Sequence, residues 1–504
     1  MPICFIFAII FNLLSSVTAL PLQHDSTENI SAPGNFNGQA EQKQGWTPSP
    51  DGRGTVNILW TSIFTWVLCG WTTLSLNVPA PNHTAWSLFR QKASVFMLVT
   101  VGPEILAVTV LGQYMSARRS VHDFAAAGIS DWTFQRASFA DMGGFVLQTR
   151  DWVPFPINAK QLLWLIQHKF ISVPPMSPNS IKDKNKLDGI TRLIMAFQLL
   201  WFCANFFARI SKGYAITCIE LNIMALIYFT LPMMFFWRHK PVDVETAEVL
   251  NTEASMAEIL LAGGDAAQEP YSQTPLDFVS HKEWVWLLYW SHFKHALQRF
   301  HILRREHNRP VNRLSNVSTP EFPIWMIRIG FVVTLGYFAI FMMKWNSSFP
   351  TDTERLLWRS SCVICIVTIF AGEIFTDWLF YCWPYIQKKW GSKKDNKTAE
   401  NSTSLSAFQT NHDSSLTSGA GHHRAVETGR RPPRNILEWA RNPTASQDPR
   451  YALPLKVVLF GILITVLHWL ARFYILVEDF LELRWLPLSA YKTMDWEQAL
   501  PHFG

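Results

Sequence analysis

The sequence is short of charge. Of its 504 residues, 16% are Asp, Glu, Lys or Arg, against roughly 25% in an average soluble domain. It also lacks the common cofactor signatures. There is no P-loop, no glycine-rich dinucleotide turn after a strand, no G-x-S-x-G and no H-E-x-x-H, so the motifs predict no nucleotide, hydrolase or zinc-protease chemistry. Cysteine is scarce, with seven residues. Apart from Cys4, all lie within or beside apolar runs, which predicts no disulfide framework. Cys362-Val-Ile-Cys365 sits inside such a run, without the polar-loop partners of a zinc or redox site. No internal repeat stands out, so the inverted-repeat signature of many transporters is missing. The sequence predicts no metal site and no cofactor.

What the chain has in quantity is apolar residues: 49% hydrophobic, with 23 Trp and 36 Phe. They come in blocks. From Asp188 to Asp243, two apolar runs meet at a tight basic turn, Arg209-Ile-Ser-Lys212-Gly213, and stop at Arg238-His-Lys240-Pro241. A hydrocarbon core about 30 Å thick takes roughly 20 apolar residues in a helix, and each half supplies them. The net charge of +6 gathers at the ends of these runs. It therefore predicts a lipid bilayer as partner and no nucleic acid.

The fold class expected is all-α: a polytopic bundle of seven transmembrane helices, or eight if the leader is retained. Residues 1–19 read as a signal peptide or an N-terminal anchor, and residues 20–54 as a polar disordered segment. A membrane domain follows over 55–387, with spans near 56–78, 93–115, 190–208, 214–237, 323–343 and 356–383. Within it, Phe139–Leu147 and Leu162–Ile171 are too short to cross and read as interfacial or re-entrant pieces. Residues 283–301 predict an amphipathic helix with an aromatic edge (Trp286, Trp290, Phe293, Leu297) and a basic face, suited to a headgroup layer or to the bundle's own surface. Its His292 and His295 have i, i+3 spacing that could ligate metal, but no second histidine box accompanies them. Residues 388–450 read as a low-complexity disordered connector, and 451–504 as a last span (455–477) with a tail.

Basic residues crowd three connectors, 116–187, 238–322 and 388–450, which predicts that these face the cytoplasm. The sequons Asn82-His-Thr84 and Asn346-Ser-Ser348 would then both be lumenal and available for glycosylation. A cleaved leader conflicts with this, because with seven spans it inverts everything after residue 54.

Ionisable residues inside spans are costly and mark function or packing. Those here are Glu104, Glu220, Arg328, Glu373, Asp377, His468 and Arg472. Glu104 follows Pro103 near the middle of the second span, so a kinked helix with a mid-membrane carboxylate is expected to bind an ion or to pin a neighbouring helix. Depth along the spans predicts two structural ion pairs, Arg328 with Glu373 or Asp377, and Glu220 with Arg472.

Several stretches carry a resemblance. They are Asp51-Gly-Arg-Gly-Thr55 before a Trp-rich span, Pro103-Glu104, Met142-Gly-Gly-Phe145 and Ile181-Lys-Asp-Lys184. Further on are Trp237-Arg-His-Lys-Pro241-Val-Asp243, Phe349 to Arg359, Ala471 to Glu478, Leu486 to Tyr491 and Asp495-Trp496. In this order the chain resembles an expanded family of uncharacterised multi-span membrane proteins of filamentous fungi and mushrooms. That resemblance implies membrane location and architecture, and a loose association with secondary-metabolite gene clusters. Three functions are expected to compete. The first is small-molecule or ion sensing or transport at Glu104, in a multi-pass protein of the secretory pathway or plasma membrane. The others are a membrane-embedded biosynthetic enzyme or accessory factor, and a membrane scaffold of unknown protein partners.

Overall fold

The computed structural model describes residues 43–48, 53–174, 181, 189–268, 271, 273–280, 309–316, 324–378, 382 and 455–494. The leader, the 283–301 segment with His292 and His295, and the 388–450 connector lie outside these residues. Contacts divide the chain into two bodies: Met1–Lys282 with His307–Ile366 and Trp469–Gly504, and Glu283–Glu306 with Val367–His468.

Helices dominate the described residues. In chain order they are α1 (Thr55–Thr72), α2 (Ala85–Val101), α3 (Pro103–Ala126), α4 (Phe134–Asp141), α5 (Ala159–Gln167), α6 (Gly189–Ser211), α7 (Cys218–Phe236), α8 (Met256–Ala262), α9 (Ile324–Met342), α10 (Asp352–Asp377) and α11 (Leu455–Leu481). Helix α7 is the hub, packing against α1, α3, α6 and α9. Its apolar residues run all round its circumference, as a helix enclosed by others requires, and 72% of its most apolar window is buried. The peripheral helices invert the soluble pattern. Helix α1 turns Thr55, Ser62 and Thr65 inward while Trp60, Phe64 and Trp71 are exposed; α6 exposes Ile190, Leu193, Phe197 and Trp201. Broad apolar faces turned outward fit acyl chains rather than water.

Among the described residues, five helices are long and apolar enough to cross a membrane: Gly189–Ser211, Cys218–Phe236, Trp325–Met342, Asp352–Phe375 and Leu455–Arg484. The bent pair Ala85–Val101 and Pro103–Ala126 makes six if it counts as one span. Seven or eight spans are therefore more than the described residues show. The expected second span fails because it is not one helix. Proline cannot supply the N–H that would continue the helix, and it drives the preceding residue out of the α region. Gly102 accordingly has φ −144° and ψ 65°, and Pro103 opens a new helix at 113° to the last.

The hairpin enters and returns to one end of the bundle. Midway along α2, Lys92 pairs with Asp243 at 3.0 Å; midway along α3, Gln113 Oε1 accepts from Lys240 at 2.9 Å and from Trp237 Nε1 at 3.1 Å. Its tip reaches inward, where a Cβ on Gly102 would stand 3.4 Å from the Trp469 ring.

The short apolar segments after α3 pack into a core of their own. They fold on one another beside the hairpin's open end. Strand β2 (Phe145–Gln148) pairs antiparallel with β3 (Phe155–Ile157) and parallel with β4 (Glu248–Asn251), a sheet that the all-α expectation omitted. Phe139, Phe145, Leu147, Phe155, Ile157, Leu162 and Leu165 are completely buried in one core. Gly143, at φ +81°, turns the chain into β2, and the next residue has no room for a side chain: a Cβ on Gly144 would fall 2.5 Å from the Phe139 carbonyl oxygen.

The opposite end is closed by chain segments far apart in sequence. Lys43–Gln44 pairs with Leu486–Pro487, so part of the supposedly disordered 20–54 segment is structured. Arg209, buried at the end of α6, donates to the carbonyls of Ala490 at 2.9 Å and Lys492 at 2.8 Å.

In the second body, Thr368 Oγ1 and His468 Nδ1 are hydrogen-bonded at 2.9 Å, and Phe375 packs on Phe460 with ring centroids 5.4 Å apart. Glu373 and Asp377 belong to this body and Arg328 to the first.

Candidate functional site

Four elements bring polar groups together inside the first body. Helix α11 and the 3-10 turn that continues it (Glu482–Arg484) present Arg472, Asp479 and Glu482 at intervals of seven and three, which align on one face. Arg472 is 1% exposed. Its guanidinium lies 5.0 Å from the ring centroids of both Tyr337 and Phe341 on α9, donates to the Tyr337 hydroxyl and reaches Asn222 Oδ1 on α7 at 3.4 Å. Asn222 Nδ2 in turn donates to Asp479 Oδ2 at 2.5 Å. Beyond Asp479, Glu482 accepts from Lys344 and takes the first backbone N–H of α7, that of Cys218, at 2.6 Å. Polar groups thus run from the closed end of the bundle to its interior.

Glu104 reaches this chain from the hairpin tip. It occupies the second position of α3, where free N–H groups and the helix dipole favour a carboxylate, and Arg472 is its charged neighbour. The expected kink is instead a helix start, which aims Glu104 into the bundle by its N-terminus.

Four buried atoms of this region close no hydrogen bond: Arg472 Nε and Nη1, Asp479 Oδ1 and Glu478 Oε1. Native buried polar groups are overwhelmingly paired, so these four atoms set the region apart from an ordinary packed core.

Glu220 does not meet Arg472. Its carboxylate completes a capping box with Thr217, accepting from the Thr217 N–H at 3.0 Å, and pairs with Arg53, with Arg209 Nε 3.9 Å away. The start of a helix and two guanidiniums already satisfy it; Arg472 lies deeper, beside Asn222.

A second polar group sits at the hairpin's open end. Lys240 is buried and donates to Ser75 O at 2.8 Å, Asn77 Oδ1 at 3.2 Å and Gln113 Oε1 at 2.9 Å. With Asp141 it faces a small cavity also lined by Gln113, Tyr114, Phe134 and Ser138. Burial pulls Lys240 down to about 7, partly offset by the Asp141 charge. Burial pushes Asp141 up to about 6, against the pull of Ser116, the Ala159 N–H and Lys240.

Arg472 is the charged group whose field reaches Glu104. The structure separates the two sequons: Asn82 precedes α2 at the hairpin's open end, whereas Asn346 follows Lys344 at the closed end. Sequence reasoning missed Asn222, Tyr337, Lys344, Asp479, Glu482, Asp141 and Lys240. The polar stripe of Arg472, Asp479 and Glu482 was a usable signal. It went unread because the last span was ended at Val477, whereas the helix continues to Leu481.

Residues 31–262 match the model of a family of unknown function, DUF8562. That stretch contains Glu104, Asn222, Asp141 and Lys240 and stops before Tyr337 and Arg472. No curated protein and no solved structure matches the chain. Five apolar helices and this match fit an integral membrane protein.

Proposed function

We propose that this membrane protein binds a small cation at Glu104 and carries it along the buried polar chain formed by Arg472, Asn222, Asp479 and Glu482. One observation carries the reading. Arg472, almost wholly buried, leaves two guanidinium nitrogens open while Glu104 and Asp479 both stand in its field. One cation beside two carboxylates leaves an excess of negative charge in a medium that penalises it by several kcal/mol. A proton or a metal cation supplies the balance.

The hairpin also gives the reading a direction. With α2 and α3 returning to the end they left, α1 starting at the closed end and the strongly basic connectors at the other, the positive-inside rule puts the closed end outside. A cleaved leader then agrees with the charge bias, and the protein occupies the secretory pathway or plasma membrane.

The test is flux into proteoliposomes under an imposed potential, read by an internal pH dye and, separately, by sodium and potassium indicators. Wild-type flux lost in Glu104→Gln is the expected result. Equal signals from wild-type, E104Q and empty vesicles would remove the proposal.

A further inference from the structure

The cation pathway proposed above accounts for one end of α3 and leaves the other unexplained. Glu104 stands at the helix start; Gln113 lies nine residues on, about 14 Å away at 1.5 Å per residue, where it binds Lys240. Resting on that reading, we propose that Lys240 and Asp141 form the exchange station at the hairpin's open end, and that the transported cation is the proton.

The geometry narrows the ligand. Three oxygens already surround the Lys240 ammonium, so it holds no metal ion, and the cavity it shares with Asp141 is about the size of a water. Asp141 Oδ1 accepts from the Ala159 N–H at 3.2 Å, while Oδ2, buried, closes no hydrogen bond. Such a chamber exchanges protons and excludes hydrated cations. In the transfer, a Nζ–H bond of Lys240 breaks and an O–H bond forms on Asp141. Asp141 then releases that proton at the connector side, and Lys240 is reprotonated from the direction of Glu104.

Each element packed on Lys240 contributes to its environment. The segment after α1 gives Ser75 and Asn77, α3 gives Gln113, and α4 gives Asp141. Arg192 of α6 donates to the Lys240 carbonyl at 2.9 Å; Trp237 lies under the ammonium at 4.7 Å, and Arg238 and His239 precede it in the chain. Asp141 is the acidic group among these. The pair's proton affinities, near neutrality, suit exchange at cellular pH.

The experiment uses the full chain in proteoliposomes with a pH dye inside and an imposed potential. Asp141→Asn, nearly isosteric, is expected to slow proton entry at least about tenfold, the scale of a lost acid–base group. Lys240→Arg keeps the charge and its donors but cannot deprotonate, and should do the same; it serves if D141N fails to fold. If Glu104→Gln stops flux while both open-end variants retain it, this inference falls and the Glu104 reading stands. A potential-driven sodium or potassium signal with no pH change also overturns the proton assignment alone. No wild-type flux of any cation overturns both.

Discussion

Asn222 bridges Arg472 and Asp479, accepting from the guanidinium at 3.4 Å and donating to the carboxylate at 2.5 Å. An amide can do both at once because it carries an acceptor oxygen and a donor nitrogen on one planar group. That makes α7, the enclosed helix, the element holding two charges of α11 in register.

Replacing Asn222 with leucine keeps the volume and removes both functions. Asp479 loses its donor and stays buried, an outcome that costs on the order of 1–3 kcal/mol. A lowered thermal midpoint in detergent is expected, measured against wild type by intrinsic tryptophan fluorescence. An unchanged midpoint would mean that the bridge bears no strain of the fold.

Lys344 and Glu482 are 3% and 2% exposed, so each is a buried charge whose partner is near. Lys344→Met alone should destabilise by about 3–5 kcal/mol because it strands Glu482. The double variant Lys344→Met with Glu482→Leu should recover most of that loss. Urea or thermal unfolding of the four-member cycle reads the coupling.

The open-end pair predicts a specific pH profile. Asp141 rises from its ordinary 3.8 to about 6, so across that window the folded state holds more protons than the unfolded one, and stability falls as pH rises. Lys240 falls from 10.5 to about 7, so above about 7 the unfolded state holds more protons and stability rises with pH. Thermal midpoints from pH 4 to pH 6 should decline in wild type and flatten in D141N; those above pH 7 should climb in wild type and flatten in Lys240→Met.

The sequons give a test of sidedness. Asn346, exposed at the closed end, should carry a glycan, and Asn82, exposed at the other, should not. With the outward-facing Asn29-Ile-Ser31 sequon removed by Asn29→Gln, glycosidase treatment should shift the mobility of the chain and of its Asn82→Gln variant, but not of its Asn346→Gln variant. A shift that depends on Asn82 would invert the assignment.

Much of this architecture was readable from apolar run length, because the membrane requirement is one-dimensional: about 20 residues per crossing. The runs at α6, α7, α9, α10 and α11 were found in that way. Azimuth was not readable. Depth placed Glu220 and Arg472 in the same half of the bundle, but two residues at one depth meet only if their helix faces do. Glu220 faces Arg53, supplied by a segment whose composition reads as disordered. Pro103 was visible, yet a proline in an apolar run is compatible with a kink or with a new helix, and Gly102 beside it decided for the second. The small sheet escaped because β2 and β3 are only four and three residues long, and β4, their partner, comes from a distant connector.

The turn at Gly102 leaves the last carbonyls of α2 and the first amides of α3 without the helical partners that an unbroken helix would give them. Trp66, whose indole N–H bonds to Thr100 at 2.9 Å, and Trp469, against Gly102, are the stoppers over that spot. Their bulk sets how wet the tip is, and hence the local dielectric in which Glu104 sits. On the proposed reading, the two indoles would set how tightly the Glu104 carboxylate holds a charge without touching it.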